Sequence, residues 1–170
     1  MIERPKPEYR SGIGYDIHEL VVGRKLMLCG VKVPSPNGLL GHSDGDVALH
    51  AVIDAMLGAA CMGDIGTYFP DTVEQFKNID SKKLVLAVKQ MLDEEDWEIA
   101  NIDLIIHAEE PRLEPHKAQM KRCLAGMLDI DFNTVNVKAK TNEGFGDVGI
   151  GDAIAATAIT LLKKKFRRTL

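Results

Sequence analysis

Hydrophobic and polar positions alternate strictly through SGIGYDIHEL, residues 11–20. Ile13, Tyr15 and Ile17 take one face of a predicted strand, and Gly12, Gly14, Asp16 and His18 take the other. KLMLCGVKVP, 25–34, predicts a second strand or a pair of strands, and PSPNGLLGHSDG, 34–45, a loop dense in turn residues. From 44 to 62 the pattern becomes helical. Ser43 precedes Asp46 by three residues, a capping pattern, and the apolar side chains from Val47 to Leu57 cover most sides of a helix that must be largely buried. GDIGTYFPDT, 63–72, is loop, with Asp71 suited to its turn. Leu84, Val88, Met91 and Leu92 stripe a helix from about Ser81 to Glu95, with Trp97 packing at its end. NIDLIIHAEE, 101–110, predicts a strand with His107 near its close. Pro115 then fits the first turn of a helix to about residue 127, where His116 faces solvent. VNVKAKT, 135–141, alternates as a strand, and Ile154, Ala158, Ile159 and Leu162 predict a final helix over 152–165. The order β-β-α-α-β-α-β-α implies an α+β fold, one mixed sheet layered with helices in a single domain over 11–170, after a polar arm over 1–10.

Composition narrows the partners. A chain of 170 residues, 45% hydrophobic and 27% charged, buries a real core in one domain. Its longest apolar runs are interrupted by Asp, His or Gly, so no membrane span is expected, and MIERPKPEYR lacks the apolar middle of a signal peptide. Cys29, Cys61 and Cys123 are odd in number and far apart, which fits a reducing compartment and no disulfide framework. A net charge of −4 argues against broad nucleic-acid binding but is compatible with an anionic small molecule whose charge a metal offsets. The basic run KKKFRR, 163–168, complements the carbonyl end of the expected last helix.

Two patterns carry chemistry. Asp16 and His18 leave one face of a strand, which alone is unremarkable. Asp46, His50 and Asp54 stand at i, i+4 and i+8 on an otherwise apolar helix. Such groups are seldom buried without partners, so the stripe meets water in a cleft, a counter-charge or a metal. Taken with the strand pair, a metal is the strongest reading: Asp16, His18 and His50 offer one oxygen and two nitrogens, a set that zinc accepts with a fourth position open. Manganese, iron and cobalt also suit these ligand types. Asp46 and Asp54 are candidates to orient the His50 ring. GFGDVG, 144–149, fits a dinucleotide-binding pattern, but with one helix and no strand expected after it the reading fails.

In order and spacing, GYDIHEL, LLGHSDGDVALHAVIDAMLGAACMGDIGTYFPDT, AEEPRLEPH and VNVKAKTNEG resemble the 2-C-methyl-D-erythritol 2,4-cyclodiphosphate synthase family, from about Ser11 to the last element. The resemblance implies a homotrimeric α/β-layered enzyme of the non-mevalonate isoprenoid pathway, in the cytoplasm or, for a processed form, a plastid. Its active sites would lie between subunits. It would close 4-diphosphocytidyl-2-C-methyl-D-erythritol 2-phosphate into the cyclic diphosphate and release CMP. It implies zinc or another divalent transition metal at Asp16, His18 and His50, and Mg²⁺ or Mn²⁺ bridging the substrate phosphates near Glu143. His42 and Thr141 would stabilise the transition state, and Ser43 would contact the methylerythritol phosphate end. Asp64, Ile65 and Gly66 would hold the ribose region, and Phe69, Pro70, Asp71, Thr72 and Val73 the methylerythritol pocket. Ala108, Arg112 and Leu113 belong to a cytidine-side loop, and Lys140, Thr141, Asn142 and Glu143 to the nucleotide and diphosphate contacts. Asp147 and Ile150 depart from the Phe and Arg that many bacterial members carry, which removes the arginine of the isoprenoid diphosphate cavity. A zinc-hydroxide phosphoesterase and a non-catalytic binding module are the competing readings.

Overall fold

A computed structural model describes residues 8–165. Strand β1 spans Tyr9–Val22, so it begins inside the stretch expected as an arm; residues 1–7 lie outside the described region. β2 (Leu26–Leu28) and β3 (Val31–Val33) form the expected pair as a separate hairpin. β4 (Asn37–Leu39) is a short strand within the predicted loop. Helix α1 runs Val47–Ala60, α2 is one turn over Ile65–Tyr68, and α3 is Ser81–Glu94. β5 (Trp97–His107), α4 (Lys117–Leu128), β6 (Val135–Lys140), the one-turn α5 (Gly146–Gly149) and β7 (Ala153–Lys164) complete the chain. The main sheet has the order β4-β1-β7-β5-β6 and is mixed, because only β5 and β6 run parallel.

The largest correction concerns the last element. Residues 152–165 were expected to be helical; 153–164 are instead the sheet's central strand, between β1 and β5. Ile154, Ala158 and Leu162 are buried, as either a helix or a strand with even-numbered positions inward would have them, but Ile159 is 46% exposed. The basic run therefore ends a strand rather than a helix, with Lys163 and Lys164 in β7, and residues 166–168 lie outside the described region. The glycine-rich segment before it joins β6 to a strand antiparallel to β5, so no parallel βαβ unit surrounds GFGDVG. The dinucleotide reading fails for that reason, not for want of a following strand.

Helix α1 is the core's axis, packed on β1, β7 and β5. Its buried side chains meet those of β5, α3 and α4 in one apolar cluster. Trp97, almost fully buried, packs beneath Arg10 and Lys164, whose charged ends stand 4.7 and 4.4 Å from its ring centre. It thus ties the start of β1 to the end of β7 by stacking cations on an aromatic face.

Candidate metal centre and its cavity

Period-2 geometry sends Asp16 and His18 off the face of β1 that carries α1, and the helix presents His50 to them. Asp16 Oδ2 lies 2.9 Å from His18 Nε2 and 2.9 Å from His50 Nδ1. The two nitrogens are 3.2 Å apart. Donors about 2.0 Å from a tetrahedral ion stand roughly 3.3 Å from one another, so this triangle is close to one face of such a site.

The rings' other nitrogens are also committed. His18 Nδ1 donates to the carbonyl of Leu40 at 2.6 Å, so the neutral ring presents its Nε2 lone pair to the centre. The N–H of Leu40 donates to the carbonyl of Glu19, so the strand ladder itself delivers this acceptor. His50 Nε2 stands 2.9 Å from Ser81 Oγ and 3.1 Å from Ser43 Oγ. Burial raises the Asp16 pKa, but the hydrogen bonds and charges of His18 and His50 outweigh it and hold the carboxyl down at about 2. For His18, burial opposes the charged form, yet its bond to Asp16 takes its pKa above the usual value.

The remaining acids of the helix stripe do other work. Asp46 caps α1, in place of the expected Ser43, and accepts from Leu49 N at 3.1 Å. It also accepts from Cys29 N at 2.9 Å and Gly30 N at 2.6 Å, which fastens the helix start to the β2–β3 turn. Burial pushes its carboxyl up to about 6 against the pull of those N–H groups. Asp54 accepts from Ile65 N at 2.8 Å and holds α2 against α1. Neither orients the His50 ring: both are drawn to backbone amides that only the tertiary fold supplies.

The triangle lies on a cavity of about 410 Å³. Of the residues expected around the substrate, His42, Ser43, Ile65, Gly66, Phe69, Pro70 and Asp71 line it. His42 Nε2 is one of two buried side-chain atoms without a hydrogen-bond partner among the described residues. Asp64 caps α2 through Thr67 and, like Thr72 and Val73, lies along the same segment outside the lining. Phe76, Ile79 and Leu84 also line the wall; Leu84 was read only as part of a helix stripe, and Phe76 and Ile79 are apolar positions with no motif to mark them. Ala108, Arg112, Leu113, Lys140 and Thr141 gather elsewhere, around a second cavity of about 160 Å³. Beyond it, Thr141 Oγ1 donates to Glu143 Oε1 at 2.6 Å, and Asn142 N meets Glu109 Oε2 at 3.3 Å.

Arg24 braces the loop that carries His42 and Ser43. Its guanidinium donates to the carbonyls of Ser43 at 2.7 Å and Gly41 at 3.3 Å. Arg24→Met keeps the apolar stem and loses both bonds. We expect stability to fall by about 1.5 kcal/mol in urea unfolding, the low end for bonds to a charged donor; an unchanged midpoint would show that the loop stands without Arg24.

The family profile described as the YgbB family matches residues 9–163. The chain belongs to the YgbB family. A relative from Neisseria gonorrhoeae named 2-C-methyl-D-erythritol 2,4-cyclodiphosphate synthase is 50% identical over 153 residues, 90% of this chain and 96% of its own. One of the same name from Chlorobaculum parvum is 49% identical over 156 residues, 92% and 99% of the two chains. Among solved structures, the bifunctional IspDF of Campylobacter jejuni superposes with a TM-score of 0.91 at 40% identity, covering 95% of this chain and 44% of that one. This family chain thus spans less than half of the bifunctional protein. IspF of Plasmodium falciparum, in a CDP complex, gives 0.82 at 32% identity, with 93% and 97% covered. Among the described residues, no helix is long and apolar enough to cross a membrane.

Proposed function

We propose that the chain is a 2-C-methyl-D-erythritol 2,4-cyclodiphosphate synthase, a phosphorus–oxygen lyase of isoprenoid biosynthesis acting in the cytoplasm. The observation that carries this reading is the convergence of Asp16, His18 and His50 on the wall of the 410 Å³ cavity, in a chain that matches the family almost end to end. In the reaction, an oxygen of the substrate's 2-phosphate attacks the β-phosphorus. The bond from that phosphorus to the bridging oxygen breaks, and the oxygen leaves with its electron pair on the α-phosphate as CMP.

The nucleophile is a phosphate monoester with a second pKa of about 6, so it is already anionic and needs no strong base. The work left to the protein is placement and charge. A divalent ion bound at Asp16, His18 and His50, zinc by the donor set, supplies Lewis-acid polarisation of a phosphate oxygen. Glu143 is exposed beside Thr141 and suits Mg²⁺ or Mn²⁺ held jointly with the diphosphate, since such ions take few protein ligands. His42, with its unpartnered Nε2, and Thr141 are assigned to the transferring phosphoryl group, and Ser43 to the phosphate end. Ile65, Gly66 and the segment Phe69–Val73 hold the methylerythritol chain, and Asp64 holds the ribose. Ala108, Arg112, Leu113 and Lys140–Asn142 serve the cytidine diphosphate, the ligand class named for the Plasmodium structure.

The two cavities share no lining residue, which supports a site completed by a neighbouring chain. Ile13, Tyr15, Ile17 and Ile159 are exposed on the sheet. An apolar face of this kind favours association, and a homotrimer with sites between subunits accounts for both features. Incubation of the metal-loaded protein with the cytidyl substrate tests the assignment. We expect CMP together with the ring-closed diphosphate. An open-chain phosphate product would assign a metal-hydroxide phosphoesterase instead, and no turnover with the metal in place would leave a binding module.

A further inference from the structure

A histidine that binds a metal through one ring nitrogen usually donates its other N–H to a carbonyl or carboxylate, which fixes the tautomer and makes the ligand more basic. His18 does this through Leu40. His50 has neither group at its Nε2, only the hydroxyls of Ser81 and Ser43. The two are not equivalent. Ser43 Oγ already accepts from the N–H of Gly45 at 3.1 Å. Ser81, fully buried at the first turn of α3, stands 2.5 Å from Asp44 Oδ1. A serine at a helix start ordinarily caps the helix. Here Asp80 does so, accepting from Lys82 N at 3.0 Å, and the Ser81 hydroxyl is released for another role.

With an ion held at the triangle, the protons have one consistent arrangement. The His50 Nδ1 lone pair is then turned to the ion, so Nε2 carries the hydrogen and donates. Ser81 Oγ accepts it, and its own hydrogen goes to the carboxylate of Asp44 at 2.5 Å in preference to Ser43 Oγ at 3.3 Å. We infer that Ser81 and Asp44 are positioning residues of the metal centre: a buried hydroxyl passes the hydrogen-bonding demand of the Asp44 carboxylate to His50 and holds its Nδ1 free to ligate. The inference rests on the metal reading of the triangle. Ser81 lies 31 residues from His50 in sequence, and Asp44 reaches the ring only through it.

Metal-free full-length protein titrated with Co²⁺ or Zn²⁺, against a chromophoric chelator, tests this in two separable steps. Wild type is expected to bind one ion per chain at the triangle. Failure there overturns the metal reading itself. Given that binding, Ser81→Ala should weaken it by about 10–100-fold, the usual loss when such a supporting partner is removed, with a changed visible spectrum for bound Co²⁺. Asp44→Asn should weaken it in the same direction. The double variant should bind no more weakly than Ser81→Ala, because Asp44 acts through the hydroxyl. Additive losses, or wild-type affinity in either single variant with the fold intact by circular dichroism, would overturn the relay. If Ser81→Ala fails to fold, Asp44→Asn decides alone: unchanged affinity and spectrum sink the proposal.

Discussion

His50→Ala is expected to abolish ion binding and to reduce CMP release by about 10³-fold. The donor triangle loses one corner, and Asp16 and His18 leave neighbouring positions of a single strand with no third donor among the described residues close enough to replace it. A Lewis acid of this kind contributes several kcal/mol to phosphoryl transfer. At about 1.4 kcal/mol per tenfold in rate, the expected loss follows. The chain should still fold. His50 contributes a small share of a core built on α1, β5, α3 and α4, and the hydroxyls of Ser43 and Ser81 retain each other and Asp44 as partners. Elemental analysis of the purified variant, a far-ultraviolet spectrum and a CMP assay together make the test. Wild-type turnover from a folded, ion-free variant would refute a role for the triangle in the reaction.

That triangle was legible in the sequence because two short periods sufficed. Period 2 placed Asp16 beside His18, and a four-residue helical step lifted His50 out of an apolar cylinder. Its surroundings were not legible, because long-range hydrogen bonds decide them. Asp46 and Asp54 share the stripe with His50, yet backbone amides of Cys29, Gly30 and Ile65 claim them. The hydroxyl beside the ring comes from Ser81, which the sequence marked only as the start of a helix.

The failure at β7 has a related cause. The first four residues of β7 are buried on both faces and no charged residue appears in it before Lys163, so the apolar–polar alternation that marks β1 is missing from its sequence. Alanine at 153, 155, 156 and 158 then imitates helical preference. In the fold Ala156 and Ala158 lie on the face that α1 crosses, and α1 packs extensively against β7 as well as β1, while Ala153 and Ala155 pack with Val148 on the opposite face. Local preference lost to tertiary contact at the one strand that holds the sheet together.

Gly14→Ala is expected to cost about 3 kcal/mol or more, the top of the range for overpacking, and to carry the metal centre away with it. A Cβ added at Gly14 would stand 2.0 Å from Ala51 O and 2.7 Å from Ala55 N, and one at Gly12 would stand 2.2 Å from Ala55 O. These are backbone atoms of α1, so no rotamer change relieves the contact. The helix must lift from β1 toward the roughly 3.5 Å that non-bonded atoms require. Lifting it moves His50 away from Asp16, to which it is now held at 2.9 Å. Stability and ion affinity should therefore fall together. Gly126→Ala in α4 supplies the control: its Cβ meets nothing within 4 Å, and replacing a helical glycine should stabilise by up to about 1 kcal/mol. Urea unfolding of both variants, with metal titration of the folded fraction, separates the cases. If Gly14→Ala matched wild type in midpoint and affinity, the close seat of α1 on β1 would not be what brings Asp16, His18 and His50 together.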